Sequence, residues 1–287
     1  MRNIRFCTIL LTAVILLGLA GCSGNTVSLD STVTDADSTE QIFLYGEVHA
    51  VDKILEKEFE IWKGYYDSGM RHLFIEYPYY TAEFFNIWMK GDSDDILNQL
   101  YEENEGTSAH SPNVKEFFMK IKAECPETIF HGTDVGHMYG TTGYRFLRYL
   151  EENGLKDTEQ YLLAEECIDQ GRRFYGDVNN NLYREEKMTE NFIREFDKLS
   201  GESIMGIYGS AHTGVDAFTF GAPDEPCMAN RLKERYGETL FSEDLSSLAY
   251  ESRVETITVN GKDYQATYFG EQNVTGRIAD YATREFW

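Results

Sequence analysis

Positive charge is scarce in this sequence. Lys and Arg number 26 against 49 Asp and Glu, which leaves a formal charge of −23. A chain so acidic is repelled by phosphate backbones, so nucleic acid is excluded as a partner. The same balance argues against docking of the folded surface on anionic lipid. Cysteine is sparse as well, with five residues and no CxxC spacing. Neither a redox motif nor a disulfide framework follows from that count. There is no HExxH, which removes the helix-borne zinc-protease pattern. Internal repeats and low-complexity blocks are absent from the body of the chain. The one long apolar run, Phe6–Leu17, is too short to be a typical membrane span.

That run has another reading. Arg2 and Arg5 precede it, and it closes on Leu19-Ala20-Gly21-Cys22. A charged start, an apolar middle and small residues before a cysteine resemble a bacterial lipoprotein signal with its lipobox. The resemblance implies that residues 1–21 are removed and that Cys22 carries the lipid. Residues 22–41 are polar and aperiodic, the composition of a flexible tether with a reach of roughly 20–25 Å. The expected organisation is therefore a signal peptide (1–21), a lipidated tether (22–41) and one domain over 42–287. Its expected place is the cell membrane, lipid-anchored on the extracytoplasmic face. Cys125, Cys167 and Cys227 then remain, as one disulfide plus a free thiol or as three unpaired buried cysteines.

At 42% apolar residues the domain can bury a sizeable core. Four short apolar runs rich in β-formers end in polar clusters. Ile42–Tyr45 leads to Gly46-Glu47-Val48-His49, and His72–Ile75 leads to Glu76. Thr128–Phe130 leads to His131-Gly132-Thr133-Asp134, and Ser203–Tyr208 leads to Gly209-Ser210-Ala211-His212. Helical spacing separates them over Val51–Ser68, Thr81–Met89, Asn113–Lys122, Gly143–Asn153, Thr158–Gln170 and Arg184–Leu199. Strand–helix alternation predicts an α/β fold with a mostly parallel sheet flanked by helices. Two alternating runs around Asn260-Gly261 predict a C-terminal β-hairpin at about 254–269.

Sites in such sheets form beyond the carboxyl ends of the strands, where all four clusters fall. Glu47 and His49 are two residues apart, so strand geometry puts both on one face. A turn with solvated side chains would satisfy that pair taken alone. The ordered set is more telling: GExH at Gly46–His49, the strand-end Glu76, the G-x-D turn at Gly132–Asp134 and the G-x-x-H turn at Gly209–His212. In this order they resemble the superfamily of erythromycin esterases, ChaN-like haem-binding lipoproteins, and the Tiki and TraB/PrgY families. Arg184–Asn191, REEKMTEN, is similar to the Arg-x-x-x-Met-x-x-Asn helix of the esterase branch. One departure is Ala50-Val51, where that branch usually has Gly-Thr after its first histidine.

The resemblance implies hydrolysis of an ester or amide in a small molecule or peptide, with Glu47, His49, Glu76, Asp134, Arg184 and His212 as the catalytic set. A neutral histidine beside a carboxylate can take a proton from water. Two imidazoles with one or two carboxylates, here His49, His212, Glu47 and Glu76, equally match a catalytic zinc or manganese site. The alternative is haem or metal-complex uptake. It would use a tyrosine such as Tyr77, Tyr79 or Tyr80 as axial ligand and Arg172, Arg173 or Arg184 near the propionates.

Overall fold

The protein is described from a computed structural model over residues 40–176, 181–250, 253–259, 262–269 and 283–286, with backbone alone from residue 250 onward. The signal segment 1–21, Cys22 and most of the tether lie outside the described residues, as does the Asn260-Gly261 turn. In chain order the first half comprises β1 (Ile42–Glu47), α1 (Asp52–Asp67), β2 (His72–Pro78), α2 (Tyr79–Lys90), α3 (Asp95–Glu103), α4 (Pro112–Glu124) and β3 (Ile129–Asp134). Next come α5 (Tyr144–Glu152), α6 (Glu159–Gly176), α7 (Asn181–Asp197), β4 (Ile204–Gly209), β5 (Phe218–Thr219), β6 (Ala222–Pro226), α8 (Met228–Tyr236) and β7 (Leu240–Asp244). The chain closes with β8 (Arg253–Val259), β9 (Lys262–Phe269) and β10 (Thr283–Phe286).

A five-stranded sheet runs in the order β3-β2-β4-β1-β7, every pair parallel. Parallel sheets are buried on both faces, and the strand residues divide accordingly. Tyr45, Leu73, Ile75, Phe130, Met205 and Ile207 face one core, packed by α1 to α6. Ile42, Leu44, Phe74, Ile204, Tyr208 and Leu240 face a second core, filled by Met188, Phe192 and Phe196 of α7 and Met228 and Leu232 of α8. The period of two along each strand thus builds two layers from one apolar run. Trp62 and Trp88 are fully buried, and their indole N–H groups donate to Thr128 Oγ1 (3.1 Å) and Asp94 Oδ1 (2.8 Å). Each such ring contributes roughly 1.5–3 kcal/mol through burial, and the partnered N–H avoids a desolvation loss.

The expected α/β architecture is present, with one difference at the strand ends and some added elements. β1, β2 and β3 run on through their polar residues, so Glu47, Glu76 and Asp134 are strand residues and not loop residues. Two helices (α3 and α8), the edge strand β7 and the antiparallel pair β5–β6 join the expected set. The C-terminal hairpin is the antiparallel pair β8 and β9, in register from Arg253↔Tyr268 to Val259↔Lys262, with β10 added on β9. Cys125, Cys167 and Cys227 are free and buried, the second of the two expected arrangements.

α6 approaches the loop after β3 backbone to backbone. A Cβ on Gly171 would stand 2.0 Å from the Gly136 carbonyl oxygen, and one on Gly136 would stand 2.2 Å from that of Cys167. Gly171→Ala should therefore force the helix off the loop and cost about 1–3 kcal/mol in urea unfolding. Gly64 of α1 has nothing within 4 Å of the same position. Gly64→Ala should instead stabilise by about 0.5–1 kcal/mol, the ordinary helix-interior difference.

Candidate functional site

Four adjacent strand ends meet along the carboxyl edge of the sheet. In the order β3-β2-β4-β1 they deliver Asp134, Glu76, the Gly209–His212 turn, and Glu47 with His49. The pairing of β2 with β3 slips between Ile75 and Pro78, a bulge that falls on Glu76 and Tyr77. Bulges of this kind re-aim a side chain. Gly132 makes this one possible, because a Cβ there would lie 2.4 Å from the Pro78 carbonyl oxygen.

Arg184 of α7 reaches into the edge and joins its parts. Its Nε donates to Asp134 Oδ1 (2.9 Å), and Nη2 donates to Asp134 Oδ2 (2.6 Å) and to Glu76 Oε1. The other Glu76 oxygen accepts the Gly209 backbone N–H at 2.5 Å. Burial pushes Glu76 up, but His212 and Arg184 outweigh it and hold the carboxyl well below the usual range. Asp134 is 1% exposed and is likewise held low, burial being overridden by Arg184 and His137.

Glu47 and His49 do share a face. A carboxylate only accepts, so His49 Nδ1–H donates to Glu47 Oε1 at 2.8 Å, leaving Nε2 3.9 Å from Glu76 Oε1. Burial lowers the pKa of His49, but Glu47, aided by Glu76, raises it to about 9. Its side chain is nevertheless 41% exposed and reachable. Ala50, next in sequence, has φ 60°, and Asn113 Nδ2 of α4 donates to its carbonyl at 2.8 Å. The position where the resembled branch usually carries glycine thus has a glycine-like backbone, met by alanine at a strain of about 1–2 kcal/mol. Met138, directly after His137, repeats the pattern with φ 56°.

His212 Nδ1–H donates to Glu185 Oε1 at 2.5 Å. Its Nε2 lies 3.2 Å from Arg184 Nη1 and 3.5 Å from Glu76 Oε1. Accepting from arginine would need a neutral ring. Burial favours that form, but Glu76 and Glu185 override it and push His212 up to about 10. Nε2–H is therefore directed at Glu76.

A cavity of about 330 Å³ opens at this edge, with His49, Glu47, Glu76, Asp134 and Arg184 in its wall. His212 is outside the lining and stands behind Arg184. In the sequence His137 is a candidate only through its nearness to Asp134 in HGTDVGH, and Glu185 and Glu58 do not stand out. His137 lines the cavity, with Nε2 2.9 Å from Asp134 Oδ2. Glu185, buried, fixes His212 and accepts the Met228 backbone N–H at 2.7 Å. Its neighbour Arg184 was the available signal, since a helix face that turns an arginine inward carries adjacent residues toward the same edge. Glu58 also lines the cavity, where burial and Glu47 hold its carboxyl well above the usual range. A helical stack of Ile54, Glu58 and Trp62 was its only signal.

The side chains do not fit a divalent metal as they stand. A guanidinium already supplies the cation between Glu76 and Asp134, and no described group of three or more His, Cys, Asp or Glu could hold an ion. For a haem ligand, Tyr77 lines the cavity, whereas the Tyr80 hydroxyl is spent on the His137 carbonyl (2.5 Å). Arg172 pairs with Asp169 at 2.8 Å on the surface.

No family model and no curated protein matches this chain. An erythromycin esterase, a histidine-to-asparagine mutant in its open conformation, is similar in structure at 12% identity, over 80% of this chain and 76% of that one, with a TM-score of 0.52. A Bacillus cereus protein (14% identity, TM-score 0.48) and a succinoglycan biosynthesis protein (13%, 0.46) each align over 72% of this chain. The chain spans 65% of the length of each of those two. At such identities the likeness is one of fold, an erythromycin-esterase-like α/β fold.

Replacing Arg184 tests the charge network. Arg184→Met leaves two buried carboxylates uncompensated and should cost about 3–5 kcal/mol in urea unfolding at pH 7. Depressed carboxyls contribute stability above their unfolded pKa, near 4, and lose it as pH falls through the folded values. The gap between wild type and variant should therefore be full above about pH 5 and should narrow as the pH is lowered below 4.

Proposed function

We propose that this chain is a hydrolase of an ester or amide bond in a small molecule or peptide, acting through His49 and without a metal ion. The observation that carries the reading is the Glu47–His49 pair in the cavity wall, with Nδ1 held and Nε2 left on the side of Glu76 and Arg184. In its neutral form His49 takes a proton from water at Nε2 while the water oxygen bonds to the scissile carbonyl carbon. Glu47 stabilises the resulting imidazolium and fixes the ring. The carbonyl oxygen gains negative charge, which the Arg184 guanidinium offsets from the cavity wall. Collapse of the tetrahedral species breaks the bond to the leaving group, which takes the proton back from His49. Glu76 and Asp134 hold Arg184 in place for this, and His212 steadies Glu76.

The fold of the esterase neighbour is compatible with such chemistry, but folds of this kind do not fix function. The lipobox-like start supports a protein tethered outside the cell membrane through Cys22. A Cys22→Ser variant should move from the membrane fraction to the soluble fraction on cell fractionation, and its retention in the membrane would remove the anchor from the reading.

His49→Ala should lower hydrolysis across a panel of ester and amide substrates by about 10²–10⁴-fold while the protein stays folded. Full turnover in that variant would sink the assignment, and a Soret band on adding haem to an inactive wild type would favour the uptake alternative. With His49 held up to about 9, only about 1% is neutral at pH 7, so kcat/KM should climb about tenfold per pH unit and level off near pH 9. Glu47→Gln keeps an acceptor for Nδ1–H but removes the charge. Its profile should shift to lower pH, as read from kcat/KM between pH 5 and 10.

A further inference from the structure

Glu58 sits on the buried face of α1, one turn from Ile54 and one from Trp62, and is 0% exposed. Neither of its carboxyl oxygens has a hydrogen-bond partner among the described residues. The other carboxylates lining the cavity are all engaged: Glu47 by His49, Glu76 by Arg184 and Gly209, Asp134 by Arg184 and His137. A buried carboxyl with no partner is costly, and an apolar residue of similar volume would remove that cost. It lines the cavity but its oxygens are covered, so a partner from outside the chain meets the carboxyl by displacing what covers it.

We infer that Glu58 is the recognition group for an organic ammonium carried by the ligand of this cavity. An ammonium supplies N–H donors and a positive charge together, so its binding releases to solvent the proton that burial and Glu47 favour on the carboxyl. No lysine lines the described cavity to compete. Tyr77, Phe117 and Phe118 line the same cavity, and aromatic faces attract cations. The net charge of −23 draws cationic ligands toward the protein over longer distances. Arg184 bonds Glu76 and Asp134 and makes no bond to Glu58, so it does not neutralise Glu58 in advance. That the ligand is a substrate rests on the hydrolase reading; that it carries an amine does not.

The test is calorimetric titration of the full-length protein with 2-phenylethylammonium and with its neutral counterpart 2-phenylethanol. Wild type should bind the ammonium at least tenfold more tightly than the alcohol. Glu58→Leu should bring the two to parity and raise Tm by about 2–6 °C, because the unpartnered carboxyl is gone. Glu58→Gln, nearly isosteric, should lose at least tenfold of the ammonium affinity, and it serves should the leucine variant fail to fold. Parity in wild type, no binding of either probe, an ammonium preference surviving in a Glu58 variant, or a lower Tm for a folded Glu58→Leu would each overturn the inference. His49→Ala should lower hydrolysis by about 10²–10⁴-fold yet keep the ammonium preference. If wild type shows the preference but hydrolyses nothing, the inference stands and the hydrolase reading falls. If it hydrolyses neutral esters with no ammonium preference, the reverse holds.

Discussion

The Arg184 guanidinium brings positive charge to a place where Glu76 and Asp134 are almost completely shielded from water. Removing an ion from water costs several kcal/mol even after relaxation, so neither carboxylate would remain charged there alone. Three donors of one planar fork answer both carboxylates, and the fork comes from a helix on the opposite layer from α1 and α2. The interaction therefore does mechanical work as well as electrostatic work. It ties α7 to the ends of β2 and β3, and through His212 and Glu185 to the turn after β4. A lysine would carry the charge but not the fork geometry. The shape of the cavity edge follows from this one side chain, because each carboxylate that β2 and β3 bring to the cavity is oriented by it.

How much of this was legible in the sequence differs by layer. The four strands β1 to β4 could be read because short apolar runs bounded by turn residues fit little besides a buried strand, and their polar ends marked one edge. The strands' continuation through Glu47, Glu76 and Asp134 was not legible, since a carboxylate ordinarily stops a buried strand. Only tertiary pairing with Arg184 and His49 lets it continue. β7 was hidden for a related reason: Leu240–Asp244 carries Ser242, Glu243 and Asp244, a composition that an edge strand tolerates and periodicity does not single out. α8 is short and rich in charge, with Met228, Ala229 and Leu232 alone buried.

The candidate site shows the same limit from the opposite side. Residues that end strands stood out, whereas those on helices did not. Glu58 lies at an apolar position of an amphipathic pattern and reads as an exception to be placed in solvent. Glu185 follows an arginine in a run of charges that looks like a solvated face. Both are buried because the edge of a sheet gives helical residues something polar to reach, and a one-dimensional pattern does not carry that information. Ala50 is a milder instance, where the departure from glycine could be seen but the φ 60° backbone it must satisfy could not.

The contact between Gly136 and Gly171 bears on how such a cavity can diversify. Backbone stands on backbone there, so mutation cannot shift α6 relative to the His137 side of the pocket without breaking the packing. That wall is in effect frozen across any lineage that keeps the contact. The opposite wall is furnished by Asn104, Thr107, Ser108 and Ala109, small residues on the connection between α3 and α4, where insertions and exchanges meet little resistance. Evolvability is thus unevenly distributed around one pocket. Exchanges in the connection at 104–111 would reshape the cavity while leaving the charged edge and the glycine contact undisturbed.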